Sequence, residues 1–407
     1  MSSKLIPSRS LFVSVALLMA GNGLLSIYLS VHMTLEAFPT PVIGVVMSAY
    51  FAGLVTGAFY GDRVIYRVGH IRAFAAFASV ATSAVLMHGL FSWAPTWAVL
   101  RAVTGFAIAG LYVVIESWLN AHATRANRGR LFSLYMATSI LALGLGQFLL
   151  NVGHPNTTDP IILAAVLLAL CAVPVSLTRA VHPNLPERTT FSLRELFRRA
   201  PVAVLGALGA GLTGAAFVTL GPVYGVQSQL GIPGVSALMG VTVLGGLLLQ
   251  WPMGSLSDHY DRKRMLVAVN FGVALVSLAI LLSGTRSIPG LLALATCFGG
   301  LTYLLYPLSV SHANDLVDGP FFVQVSAGLL FAWGLGSAIG PLLAASVMAV
   351  MGPDGLFLYT MVLSVGLGVL AWTRQEAAVH TYAQSPFVAL TRTTPVIAEL
   401  DPRAGLD

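Results

Sequence analysis

RAVTGFAIAGLYVVIESWLN, residues 101–120, is long enough to cross a bilayer, yet it holds an arginine at its start and a glutamate near its end. Charges within such a run are costly. A chain keeps them where they face protein or an aqueous cavity. At 3.6 residues per turn, Arg101, Gly105, Tyr112 and Glu116 fall within about 60° of one another and form one stripe. Fifteen residues of rise separate Arg101 from Glu116 by about 22 Å, so they cannot pair with each other. Each therefore needs another partner or water.

The rest of the chain agrees with a membrane setting. Of 407 residues, 57% are hydrophobic and 9% charged, whereas soluble domains carry about 25% charged residues. Apolar segments fall at 11–31, 41–61, 71–91, 96–118, 131–151 and 160–178, then at 201–222, 236–253, 265–284, 289–310, 321–349 and 355–373. Twelve segments of this length match a hydrocarbon core of about 30 Å. The expected fold class is an all-α polytopic membrane protein, its twelve transmembrane helices arranged as two six-helix bundles. Lys4 and Arg9 precede the first apolar run, which has no A-x-A cleavage pattern, so it reads as a retained helix.

Nineteen of the 21 lysines and arginines fall in loops and termini on one side, the exceptions being Arg101 and Arg286. That side, with both termini, is expected to be cytoplasmic, in the inner membrane. The net charge of +6 is thus a topology signal and not a nucleic-acid footprint. The loop at 311–320 departs from the pattern, with Asp315 and Asp318 and no base. Cys171 and Cys297 lie in apolar runs and indicate neither a disulfide framework nor a soft-metal cluster.

The expected organisation is an N-terminal six-helix bundle at 1–178, a cytoplasmic linker at 179–200, a C-terminal bundle at 201–373 and a polar tail at 374–407. FSLRELFRRA (191–200) reads either as a short interfacial amphipathic helix or as a basic linker. A faint repeat joins the halves: GAFYGDRVIYRVGHIR (57–72) follows the second span, and GSLSDHYDRKRM (254–265) follows the eighth. Six-helix units repeated about an axis normal to the membrane build one large class of transporters.

On these turns the chain resembles the major facilitator superfamily over residues 9–373. Of that family's G-x-x-x-D-[RK]-x-G-[RK]-[RK] loop, the second-half copy has Gly254, Asp258, Arg262, Lys263 and Arg264, with Asp261 where glycine is expected. The first-half copy has Asp62–Arg63 and Arg67–Val68–Gly69–His70 at a stretched spacing from Gly57. RVGHIRAF (67–74), GLYVVIESWLN (110–120), NRGR (127–130) and SHAND (311–315) resemble the uncharacterised bacterial YcaD-like branch. GLGQF (144–148) lacks the Gly-Pro pair of the family's exporter-type antiporters.

The resemblance implies that spans one, four, seven and ten line a central cavity. Cavity candidates are then Asn22, Tyr28, Arg101, Tyr112, Thr213, Thr302 and Tyr303. Thr219, Tyr306, Gln147 and Gln250 are further polar groups at membrane depth, and Trp333 reads as a packing aromatic. Coupling and gate candidates are Glu116, Asp62, Arg63, Arg67, Asp258 and Arg262. Arg101 and Glu116 have a second reading, in which they snorkel or lock helices together, Glu116 through an ion pair with Arg125, Arg128 or Arg130. Gly53, Gly57 and Gly61, then Gly206, Ala210 and Gly214, then Gly336 and Gly340 make small-residue ridges for close helix packing.

No G-x-x-x-x-G-K-[ST] loop or H-E-x-x-H motif occurs, and the histidines are dispersed. The expectation is a monomeric secondary active transporter, not an enzyme, with no cofactor and no metal. Its partners would be a small-molecule or lipid substrate, membrane lipids and protons, and no nucleic acid. A facilitator, a lipid transporter and a non-transporting sensor are the alternatives.

Overall fold

In hydrocarbon a peptide group finds no water, so an apolar run of about twenty residues closes its own hydrogen bonds as a helix. A computed structural model describes residues 6–123, 127–177, 193–284, 287–317, 322–374 and 393–394. Among them twelve helices are long and apolar enough to span a membrane. The first six are α1 (Ile6–Leu35), α2 (Thr40–Val68), α3 (His70–His88), α4 (Ala94–His122), α5 (Arg128–Phe148) and α6 (Asp159–Leu170, continued after Cys171 by Ala172–Ser176). The second six are α7 (Pro201–Gln227), α8 (Gly231–Ser257), α9 (Arg262–Ser283), α10 (Ile288–Asp315), α11 (Phe322–Met351) and α12 (Gly355–Thr373). All twelve expected spans are helical.

The repeated turns differ in how they end a helix. Gly69 at φ 82° joins α2 to α3 in a single residue. At the second turn Asp261 caps α9, its carboxylate accepting from the Arg264 amide at 2.8 Å. Asp261 is thus the capping acid of this loop, which leaves Asp258 for another partner. Leu193–Arg199 is a short helix in which Glu195 pairs with Arg198 and Arg199 at 3.0 and 2.7 Å. Residues 178–192 and nearly all of the 374–407 tail lie outside the described residues.

Packing shows the repeat more clearly than the sequence does. In the first half α2 crosses α4 and α1 crosses α5; in the second half α8 crosses α10 and α7 crosses α11. The α2/α4 crossing is glycine-lined on both sides: methyls on Gly53 and Gly57 would overlap the carbonyl oxygens of Ala102 and Phe106, and one on Gly105 that of Tyr50. At α8/α10, Gly245 and Gly299 do the same against Thr296 and Thr242. Gly336 and Gly340 press on the α7 backbone at Leu208 and Leu212 as expected, but on α7 the close-approach residue is Gly211. Gly206 faces Ser309 instead. The halves meet along α2/α11, α5/α8 and α1/α7, which are equivalent pairs under the repeat.

Gly299→Ala should therefore lower the melting temperature of the purified protein, since overpacking typically costs about 1–3 kcal/mol. Gly366, with open space around its Cα, is the control. Equal melting of the two alanine variants would show that the α8/α10 crossing relaxes freely.

Candidate functional site

Eight helices surround a cavity of about 210 Å³ between the two halves. It is lined from α1, α4, α7 and α10, and also from α2, α5, α8 and α11. Its walls are mostly methionine, aromatic and aliphatic side chains. The polar groups among the lining include Asn22, Arg101, Gln147, Gln250 and Tyr303.

Arg101 is 1% exposed. Its guanidinium carbon lies 4.4 Å from the centre of the Tyr50 ring, a cation–π geometry worth roughly 2 kcal/mol when desolvated. The Tyr50 hydroxyl accepts from Asn22 Nδ2 at 3.2 Å, so α1, α2 and α4 are tied together at this level. Nε and Nη1 of Arg101 and Oδ1 of Asn22 have no hydrogen-bond partner among the described residues. Tyr112, about three turns further along the same face of α4, donates to Met19 Sδ at 3.5 Å.

Beyond Tyr112 lies Glu116, 0% exposed and the one fully buried acid among the described residues. It is not itself a lining residue. Tyr135 on α5 donates to its carboxylate at 3.1 Å, and the hydroxyls of Thr393 and Thr394 donate to its two oxygens. Thr393 also lines the cavity, so a piece of the C-terminal tail touches both Glu116 and the cavity space. The expected ion pair is absent at Arg130, which is exposed and makes no described contact with Glu116. Arg125 and the Arg128 side chain lie outside the described residues.

A second polar cluster sits at the end of the bundle that carries the basic loops. Arg262 is 1% exposed; its Nη1 donates to the Ser311 carbonyl at 3.0 Å and to Asp315 at 2.6 Å, and its Nη2 to Asp258 at 3.3 Å. This explains the acidic exception in the 311–320 loop: Asp315 is the α10 partner of the first residue of α9. At the matching place in the first half His70 stacks on Trp118 with centroids 6.5 Å apart. Asp62 is half-buried, Arg67 is exposed, and Arg63 lies over the Tyr60 ring at 4.6 Å.

The remaining candidates are elsewhere. Tyr28 is at the opposite end, donating to the Thr157 carbonyl at 2.9 Å and stacked on His32. Thr302 bonds its own helix at Phe298. Thr213 is buried outside the lining, while Thr219, six residues on and on another face of α7, is within it. Trp333 lines the cavity, and its Nε1 has no partner among the described residues. At the end opposite the basic loops the halves are joined by Gln227 to Thr40 and Ser236 to Asn151, both at 3.4 Å.

Tyr50 was not among the expected residues. Its signal was available in hindsight only as a phenol at mid-depth on a glycine-ridged helix. Which way that helix faces depends on the α2/α4 crossing.

A family model described as Major Facilitator Superfamily matches residues 11–284 and 234–390. An uncharacterised MFS-type transporter YcaD of Escherichia fergusonii is 29% identical over 376 residues, covering 90% of this chain and 96% of that one. An uncharacterised MFS-type transporter of Enterobacter sp. (strain 638) is 30% identical over 381 residues, with the same coverages. Among solved structures, the nucleoside transporter NupG superposes with a TM-score of 0.73 at 15% identity, covering 91% of this chain and 98% of that one. A bacterial homolog of the human lysosomal transporter Spinster gives 0.66 at 13% identity, covering 91% and 96%. At such identities the two structures speak for the fold alone.

Proposed function

Since the chain belongs to the major facilitator superfamily and is related to the YcaD-type transporters within it, we propose that it moves a small organic solute across the inner membrane by alternating access. The observation that carries this reading is the cavity between the halves, walled by equivalent helices of both and holding polar groups on α1, α2 and α4. A solute there touches both halves, so rocking one against the other changes its exposure without moving the site. Residues 1–178 and 201–373 are the two moving units, joined by 179–200. The protein works as a monomer.

The end carrying the basic loops is the cytoplasmic one in this reading, which the distribution of lysine and arginine supports. The bundle then stands closed towards the outside, where Gln227–Thr40 and Ser236–Asn151 join the halves. Asp258, Arg262 and Asp315 clamp the cytoplasmic ends of α8, α9 and α10, and Asp62, Arg63 and Arg67 mark the matching end of α2. No chemical step is part of this function.

Glu116 is the group placed to couple transport to protons. Its neighbours Tyr135, Thr393 and Thr394 are hydroxyls, which can donate to a carboxylate or accept from a carboxylic acid. Tyr112 lies one turn away on the same helix, and Arg130 is turned to the exposed side. Counterflow of a labelled solute in proteoliposomes tests the transport reading, and Glu116→Gln tests the coupling. The variant should keep counterflow and lose accumulation driven by a pH gradient. Accumulation that persists in Glu116→Gln removes Glu116 from coupling. Flux that ignores the gradient in the unaltered protein makes it a facilitator.

A further inference from the structure

We infer that the cavity takes an organic monoanion with an apolar body, its acid group seated on Arg101; this rests on the transport reading above. Arg101 is a buried cation with no acid in contact among the described residues. Glu116 is about 22 Å along the same helix, and it is occupied by Tyr135 and the two threonines. The Tyr50 face balances part of the charge, but it leaves Nε and Nη1 without acceptors among the described residues. A desolvated guanidinium with open donors matches a carboxylate or an equivalent oxyanion, which presents two acceptors to its planar fork. His88 on α3, a further ionisable group near Arg101, adds no negative charge.

The charge count limits the ligand further. Among the described residues one cation and no acid line the cavity, so a monoanion brings the site to neutrality. A dianion would leave an uncompensated charge in an apolar interior, and a cation would face Arg101 directly. The walls describe the body of the ligand. Met19, Met47, Met136 and Met239 come from four different helices, and Phe51 and Trp333 close the α2/α11 side. Methionine reshapes easily around apolar groups, and aromatic faces stack on flat ones. A sugar would need a hydrogen-bond partner for each hydroxyl, and the few amides here do not supply them. Asn22 Oδ1 and Trp333 Nε1, both open among the described residues, offer one acceptor and one donor besides Arg101.

The test uses the full-length protein, purified, and compares matched pairs: naphthoate, phenylbutyrate and cyclohexanecarboxylate against their primary amides. Binding is read by thermal stabilisation and by calorimetry. The acids should bind about tenfold or more tighter than the amides, the scale of one charge-assisted hydrogen bond. Arg101→Gln should erase that difference, and Arg101→Lys, which keeps charge without the fork, should retain part of it. Should Arg101→Gln not fold, the Arg101→Lys comparison stands alone, and an undiminished preference in it overturns the fork. The inference is also overturned if amides bind as well as acids, if the preference survives Arg101→Gln, or if no acid of the panel binds.

An anionic lipid headgroup carries the same chemistry. Stabilisation in phosphatidylglycerol over phosphatidylcholine nanodiscs that depends on Arg101 would assign the anion to the membrane. The two readings fail separately. Counterflow of a neutral or cationic solute alone would sink the anion and leave transport standing. Arg101-dependent acid binding without counterflow of any solute would do the reverse.

Discussion

Arg262→Ala should be among the most destabilising single substitutions in the second half of the protein. The guanidinium is fully enclosed and satisfies three oxygens on two segments: Asp258 at the end of α8, and Asp315 and the Ser311 carbonyl on α10. Removing it leaves two carboxylates side by side and an inward carbonyl without its donor. Breaking a buried pair from one side costs about 3–5 kcal/mol. Asp258 and Asp315 keep 32% and 20% of their side-chain surface in solvent, so water softens the loss and the lower end of that range applies. Melting of the purified protein should fall accordingly, while Arg262→Lys, with one ammonium in place of the fork, should sit between. Asp315→Asn combined with Arg262→Ala should cost less than the two changes summed, because they share one interaction. Simple additivity would show that the contact is incidental. At the matching place in the first half His70 stacks on Trp118, and His70→Phe, which keeps an aromatic ring there, should be far milder.

The contrast between those two clusters shows where sequence reading succeeds and where it stops. Hydropathy and loop charge place all twelve helices, because a lipid interior leaves an apolar run of that length little alternative. The anomalous acid at 315 was visible as an exception to the basic loops, but its partner, 53 residues away, was not. Gly53, Gly336 and Gly340 were legible as close-packing residues, since small side chains at a four-residue spacing have few other uses in a span. Gly211 was not, because its role depends on how α11 crosses α7. The cavity was half legible for the same reason. Arg101, Asn22 and Tyr112 stand out as polar groups in apolar runs, and they do line it. Tyr50, Phe51 and Trp333 are ordinary span residues until the rotation of α2 and α11 is known. Thr393 and Thr394 had no signal at all: a polar tail carries no periodicity, and their contact with Glu116 joins positions 277 and 278 residues apart.

Removing residues 375–407 is expected to make the cavity markedly more accessible from the end carrying the basic loops. Thr393 lines the cavity and, with Thr394, donates to the two oxygens of Glu116, so this pair is expected to cover the way from the acid to the cavity. Two hydrogen bonds to an ionisable group in a protein interior are worth about 1.5–3 kcal/mol each, less what it costs to order the chain that brings them. A net of even half that sum shifts the open fraction by roughly tenfold or more. A cysteine at Ser139, on the α5 wall of the cavity, reports this directly once Cys171 and Cys297 are replaced by serine. Its labelling by a membrane-impermeant maleimide should accelerate by about that factor after truncation. A full-length chain with Thr393→Val and Thr394→Val should reproduce most of the gain, because the methyl replacing each hydroxyl keeps the bulk and removes only the donor to Glu116. If truncation accelerates labelling and the valine pair does not, the tail covers the cavity by its bulk and Glu116 is incidental to it. If neither does, the contact leaves the passage open, and Glu116 meets solvent from that side regardless of the tail.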